Sequence, residues 1–194
     1  GLAHYLEHML FKGTDEIGTL DWEKEEVLLK HISDLYEAHR NSNDEEVKKS
    51  IYQQIDSVSH EASKYAIANE LDKMVSGIGG TWTNAYTSNE ETVYINTIPS
   101  NEFEKWLQLE SERFSKLVLR LFHTELESVY EEFNIGQDSD GRKAYHALFR
   151  NLFPNHPYGT QTTIGTSEHL KSPSMVKINE YFDKYYVANN MAIC

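Results

Sequence analysis

The sequence predicts a single α+β domain, on three observations. Apolar residues recur at helical spacing through most of the chain. One segment, residues 81–98, switches to β-branched and aromatic residues around a Ser-Asn-Glu turn. The 194 residues are 39% hydrophobic and 12% aromatic, enough for one core, and hold no low-complexity linker or internal repeat.

The elements follow in order. Residues 1–12 read as a helix, with Leu2, Leu6, Met9 and Leu10 at helical spacing and Gly13 as the stop. A loop over 14–20 leads to a helix over 21–40 with Val27, Leu28, Ile32, Leu35 and Tyr36 on one stripe. Ser42 and Glu45 match a capping box, which opens a second helix over about 43–65 and makes the pair a helical hairpin. A helical stretch over 68–77 ends at Gly77, Gly79 and Gly80. Residues 81–87 and 92–98 form a β-hairpin. Pro99-Ser100 opens a helix to about 116, with Phe103, Leu107, Phe114 and Leu117 inward. Helices over 122–138 and 141–152, a loop over 153–172 and a last helix begun by Ser172-Pro173 complete the reading. The chain opens at Gly1 without Met, and 190–194 read as a strand cut short, so a fragment incomplete at both ends is expected.

Composition excludes several classes. No apolar run approaches the ~20 residues of a membrane helix. The single cysteine, Cys194, permits no internal disulfide. A net charge of −13 disfavours nucleic acid as a partner. That charge is uneven: residues 1–97 hold 18 acids and 8 bases, residues 98–194 hold 13 and 10.

The strongest local feature is His4-Tyr5-Leu6-Glu7-His8. Helix positions i and i+4 share a face, so His4 and His8 can aim two imidazoles at one metal. Glu7 lies beside them, where it can hold a water or take its proton. The order His-x-x-Glu-His inverts the familiar zinc-protease order. A catalytic zinc needs a third protein ligand. The acid-rich helix from Glu125 to Glu132 is the evident donor; Glu125 and Glu132 share one face, Glu127 and Glu131 another, and spacing alone does not choose between them.

Beyond the pentapeptide, residues 1–14 resemble the inverted zinc motif and flanks of the pitrilysin family of metallopeptidases, which includes insulin-degrading enzyme and mitochondrial processing peptidase. Asn84-Ala85-Tyr86-Thr87-Ser88 with Glu90 and Thr92-Val93-Tyr94 is similar to that family's second signature. Glu125 through Glu132 resembles its third, and His156-Pro157-Tyr158-Gly159 with Thr163-Ile164-Gly165 the loop that follows. The resemblance implies a mitochondrial processing peptidase-like metallohydrolase domain, an antiparallel sheet packed by helices. It implies one zinc ion per active site, held by His4, His8 and Glu132. Glu7 is the implied general base and Glu125 a supporting glutamate. Asn84 and Ala85 lie on the strand along which a peptide or unfolded polypeptide is laid out. It further implies a second homologous half, in the same chain or a partner subunit. The separation of His8 from Glu132, 132 − 8 = 124 residues, exceeds the usual spacing, and the hairpin over 21–65 reads as a folded insert that accounts for the excess.

The reading that follows is a zinc-dependent metalloendopeptidase. The alternatives are a non-catalytic or substrate-presenting half of a two-part peptidase, and an acidic helical interaction module with an accidental motif. His31, His39, His60, His123, His146 and His169 lack ligand spacing and read as surface or packing residues.

Overall fold

The computed structural model describes all 194 residues. It is mixed, as the sequence predicts: ten helices and one two-stranded antiparallel sheet. The first helix, α1 (Leu2–Met9), lies at the centre. It packs on the sheet, on α6 (Phe122–Gln137) and on α10 (Met175–Tyr185). Its buried Tyr5, Leu6 and Met9, with Leu10 just beyond, enter a core of 19 buried residues. Phe122, Leu126 and Val129 of α6 and Met175, Ile178 and Phe182 of α10 join them there. Apolar burial of this kind is the main favourable term in folding.

The helical hairpin forms from α2 (Trp22–Asn41) and α3 (Glu45–Ser63). It is built into the domain: Leu29, Ile32, Leu35, Tyr36, Ile55 and Ala62 belong to the same core. Val27, expected on the inner stripe, is 68% exposed, while Glu25 is fully buried. The expected capping box does not form. Asp44 caps α3 by accepting from the Glu46 and Val47 amides. Ser42 instead ends α2, and its hydroxyl accepts from the Asp44 amide.

Helix α4 (Glu70–Gly77) leads into β1 (Trp82–Thr87), which pairs with β2 (Thr92–Thr97) in the register Asn84 to Ile95 and Ala85 to Tyr94. The outer edge of β1 carries no strand. A short 3₁₀ turn, Ser100–Glu102, precedes α5 (Phe103–Arg113). Phe103 faces solvent rather than inward; the buried residues of α5 are Glu110 and Arg113. Next come α7 (Asp140–Leu152) and two short helices, α8 (Pro157–Thr160) and α9 (Ser167–Lys171), within the stretch expected to be loop. The last helix is capped by Ser174, so Pro173 stands before the cap rather than in the first turn. Residues 191–194 pair with no strand.

A buried ion pair ties α2 to the loop behind α1. The Arg120 guanidinium donates to both Glu25 carboxylate oxygens, at 2.7 and 2.8 Å. It also donates to the carbonyls of Lys12, Thr14 and Ile17, at 2.7, 2.9 and 3.0 Å. Gly13 turns that loop at φ +88°, where a Cβ would stand 2.1 Å from the Ile17 carbonyl oxygen. Only glycine fits this close approach.

Candidate metal centre

His4 and His8 stand one turn apart on α1, with ring centroids 4.7 Å apart. The opposite face of α1 is locked into the core, so the two rings and Glu7 are turned toward α6 and the sheet. Glu132 comes from the fourth turn of α6. Its Oε2 lies 3.5 Å from His4 Nε2 and 3.7 Å from His8 Nε2. Donor atoms of these three residues lie within 4.8 Å of one another. Bonds of ~2.0–2.1 Å in a tetrahedron put ligand atoms about 3.3 Å apart, so the set fits a zinc-type ion with a small contraction.

His8 Nδ1 lies 2.9 Å from Glu125 Oε1. Burial alone would raise the Glu125 carboxyl, but its contacts with His8 and Lys12 outweigh that and hold it below the usual carboxylate range. Glu125 Oε1 is placed to accept from His8 Nδ1, and in that tautomer the Nε2 lone pair faces Glu132. Burial, then the neighbouring His8, lowers His4 below the ordinary histidine range, which favours the neutral ring. His4 Nδ1 is buried without a hydrogen-bond partner.

Glu7 is 7% exposed and takes a hydrogen bond from the Thr87 hydroxyl at 2.5 Å on Oε2. Burial pushes its carboxyl up, partly offset by that bond. A carboxylate with raised proton affinity beside a metal-ligand set has the chemistry of a general base. Glu7 and His8 open onto a cleft of about 420 Å³. Its walls include Phe11, Lys12, Asp72, Trp82, Asn84 and Ala85.

Of the residues expected from the sequence, the structure brings His4, His8 and Glu132 together, sets Glu125 against His8, and lines the adjoining cleft with Glu7, Asn84 and Ala85. Two residues went unassigned in the sequence. Lys12 pairs with Glu125 at 2.6 Å, and its place four residues after His8 was the available signal. Thr87 lay inside the block similar to the family's second signature, which was the available signal.

The chain is similar to several known proteins. It is 23% identical over 192 residues to an uncharacterized zinc protease of Rickettsia bellii, covering 98% of this chain and 34% of that protein. The corresponding protein of Rickettsia felis is 22% identical over 193 residues, again 98% and 34%. An insulin-degrading enzyme homolog of Dictyostelium discoideum is 24% identical over 196 residues, covering all of this chain and 15% of that protein. The chain thus spans about a third of the rickettsial relatives' length. The model of insulinase, peptidase family M16, matches residues 55–165, which hold Asn84, Ala85, Glu125 and Glu132. With more than half of its length matched, the chain belongs to the insulinase family, peptidase family M16.

Proposed function

We propose that this chain forms most of the metal-binding domain of a zinc metalloendopeptidase with a mitochondrial processing peptidase-like fold. The convergence of His4, His8 and Glu132 beside a buried Glu7, at the head of a cleft walled by a free strand edge, carries the reading. The names of the rickettsial relatives agree with it.

His4, His8 and Glu132 would hold one zinc ion. When bound, zinc supplies Lewis acidity, acidifying water and polarising the scissile carbonyl. Glu7 accepts the water's proton and returns it to the leaving amine. Thr87 holds Oε2 of Glu7, which leaves Oε1 to take that proton. Glu125 keeps His8 in the ligating tautomer. An extended peptide adds to β1 along Asn84 and Ala85, where main-chain hydrogen bonds bind many sequences alike. Substrates are peptides or unfolded polypeptides, and a second homologous half would close over them.

The test is Glu7→Gln in the full-length protein. The variant should keep stoichiometric zinc and lose peptide hydrolysis by roughly 10²–10⁴-fold, the usual weight of a general base. Unchanged cleavage would remove Glu7 from the role; a wild type that takes up no zinc would remove the whole reading.

A further inference from the structure

We propose that Lys12 is a positioning residue for the metal centre, fixing the Glu125 carboxylate that orients His8 and so setting how tightly the centre holds its metal. The inference rests on the zinc reading above. The two oxygens of Glu125 are divided between two partners: Oε2 stands 2.6 Å from Lys12 Nζ, Oε1 stands 2.9 Å from His8 Nδ1. A carboxylate turns easily about its terminal bond. Anchoring one oxygen leaves the other aimed at the imidazole.

The pair is built to hold. The side chains of Lys12 and Glu125 are only 18% and 14% exposed, so solvent and salt screen them less than a surface pair. Neither has a second ion-pair partner of the kind that would compete: Glu125 meets only His8 and Lys12, and Lys12 only Glu125. The backbone of Lys12 is fixed as well. Its amide donates to the Met9 carbonyl at 3.0 Å, and its carbonyl accepts from Arg120 at 2.7 Å. The ammonium is thus delivered to Glu125 by a chain held at both backbone groups. Carboxylates behind metal-binding histidines tune metal affinity by about 10–100-fold. Lys12 stands one contact further out, on the residue that does the orienting.

Zinc affinity of the full-length protein, measured by competition with a chromophoric chelator, tests this without an activity assay. Lys12→Met should weaken zinc binding roughly 10-fold or more. Lys12→Gln, which keeps length and polarity, should weaken it in the same direction, and Lys12→Arg should recover most of the affinity. Cobalt(II) in place of zinc should give a visible spectrum shifted in Lys12→Met and restored in Lys12→Arg. Zinc held as tightly by Lys12→Met as by wild type overturns the proposal while leaving the zinc reading intact. Equal losses in Lys12→Met and Lys12→Arg also overturn it, since charge would not then be the property that matters. A wild type without zinc overturns the reading and the proposal together.

Discussion

Arg120→Met is a severe change that leaves the metal ligands in place. Arg120 is 1% exposed and Glu25 is fully buried. Methionine fills much of the space of the arginine stem but cancels five hydrogen bonds: two to Glu25 and three to the carbonyls of Lys12, Thr14 and Ile17. Removing one partner of a buried ion pair costs about 3–5 kcal/mol, because the other charge is left without compensation. Each carbonyl left unpaired adds about 1–3 kcal/mol before relaxation, and the loop over 12–18 can relax toward water and recover part of this. The expected net loss is about 4 kcal/mol, near the middle of the ion-pair range. For a domain of this size that is a fall in Tm of roughly 8–16 °C. Urea unfolding followed by circular dichroism measures it. Glu25→Leu should be destabilising alone, and the double variant Glu25→Leu/Arg120→Met should be less so than the sum, by about 2 kcal/mol or more. A loss under about 1 kcal/mol for Arg120→Met, or strict additivity in the cycle, would refute the account of this pair as a staple behind α1.

Four further outcomes follow from the same geometry. Gly13→Ala should cost about 1–3 kcal/mol, read in the same unfolding assay, because its positive φ and the Ile17 carbonyl both oppose a Cβ. His8→Ala should abolish stoichiometric zinc by elemental analysis, and a chelator should lower the Tm of wild type but leave that of His8→Ala unmoved. Glu110→Gln should change the pH dependence of stability. Burial raises the Glu110 carboxyl, with Arg113 and Asn96 pulling it back only in part. The folded state thus binds more protons than the unfolded one, so this group's contribution is full below the ordinary glutamate value of roughly 4.3 and is lost as pH rises through the raised value. The stability of Glu110→Gln relative to wild type should therefore climb across that window; a flat difference counts against the burial argument. Thr87→Val removes a hydrogen bond that favours ionised Glu7, so the acid limb of the peptidase pH profile should move to higher pH.

The sequence carried the centre where its residues share one element. His4, Glu7 and His8 sit within five residues of a helix, so a 3.6-residue period was enough to see them converge. Glu132 was harder. Glu125 and Glu132 lie on one face of α6, and only the resemblance to a family chose between them as ligand. In three dimensions they divide the work: Glu132 reaches the Nε2 atoms of both histidines, while Glu125 reaches back to Nδ1 of His8. The difference is one of depth against α1, and helical spacing does not encode depth. Charged residues hid the rest. Glu25, Glu110, Arg113 and Arg120 are all buried, and the sequence reading singled out none of them. Burial inferred from sequence rests on apolarity, and these residues are buried as charged pairs: Glu110 with Arg113 three residues on, and Glu25 with Arg120, 95 residues apart. The bond from Thr87 to Glu7 spans 80 residues.

The helical hairpin also bears on the metal site. Counted along the chain, it is surplus length between two halves of a metal site. In the structure it supports the start of the helix that carries Glu125 and Glu132. Leu121, which precedes α6, has φ +55° and no side chain capping the first turn. Leucine rarely adopts that left-handed conformation, so something outside the helix must hold it. Three contacts do. Arg120, one residue earlier, is clamped by Glu25 of α2. The Tyr5 hydroxyl of α1 donates to the Phe122 carbonyl at 2.5 Å. The Tyr36 hydroxyl of α2 lies 2.7 Å from His123 Nδ1. Two of the three anchors come from the hairpin. The angle at which α6 crosses α1, and with it the distance from Glu132 to the two histidines, is therefore set in part by residues that the zinc motif does not include.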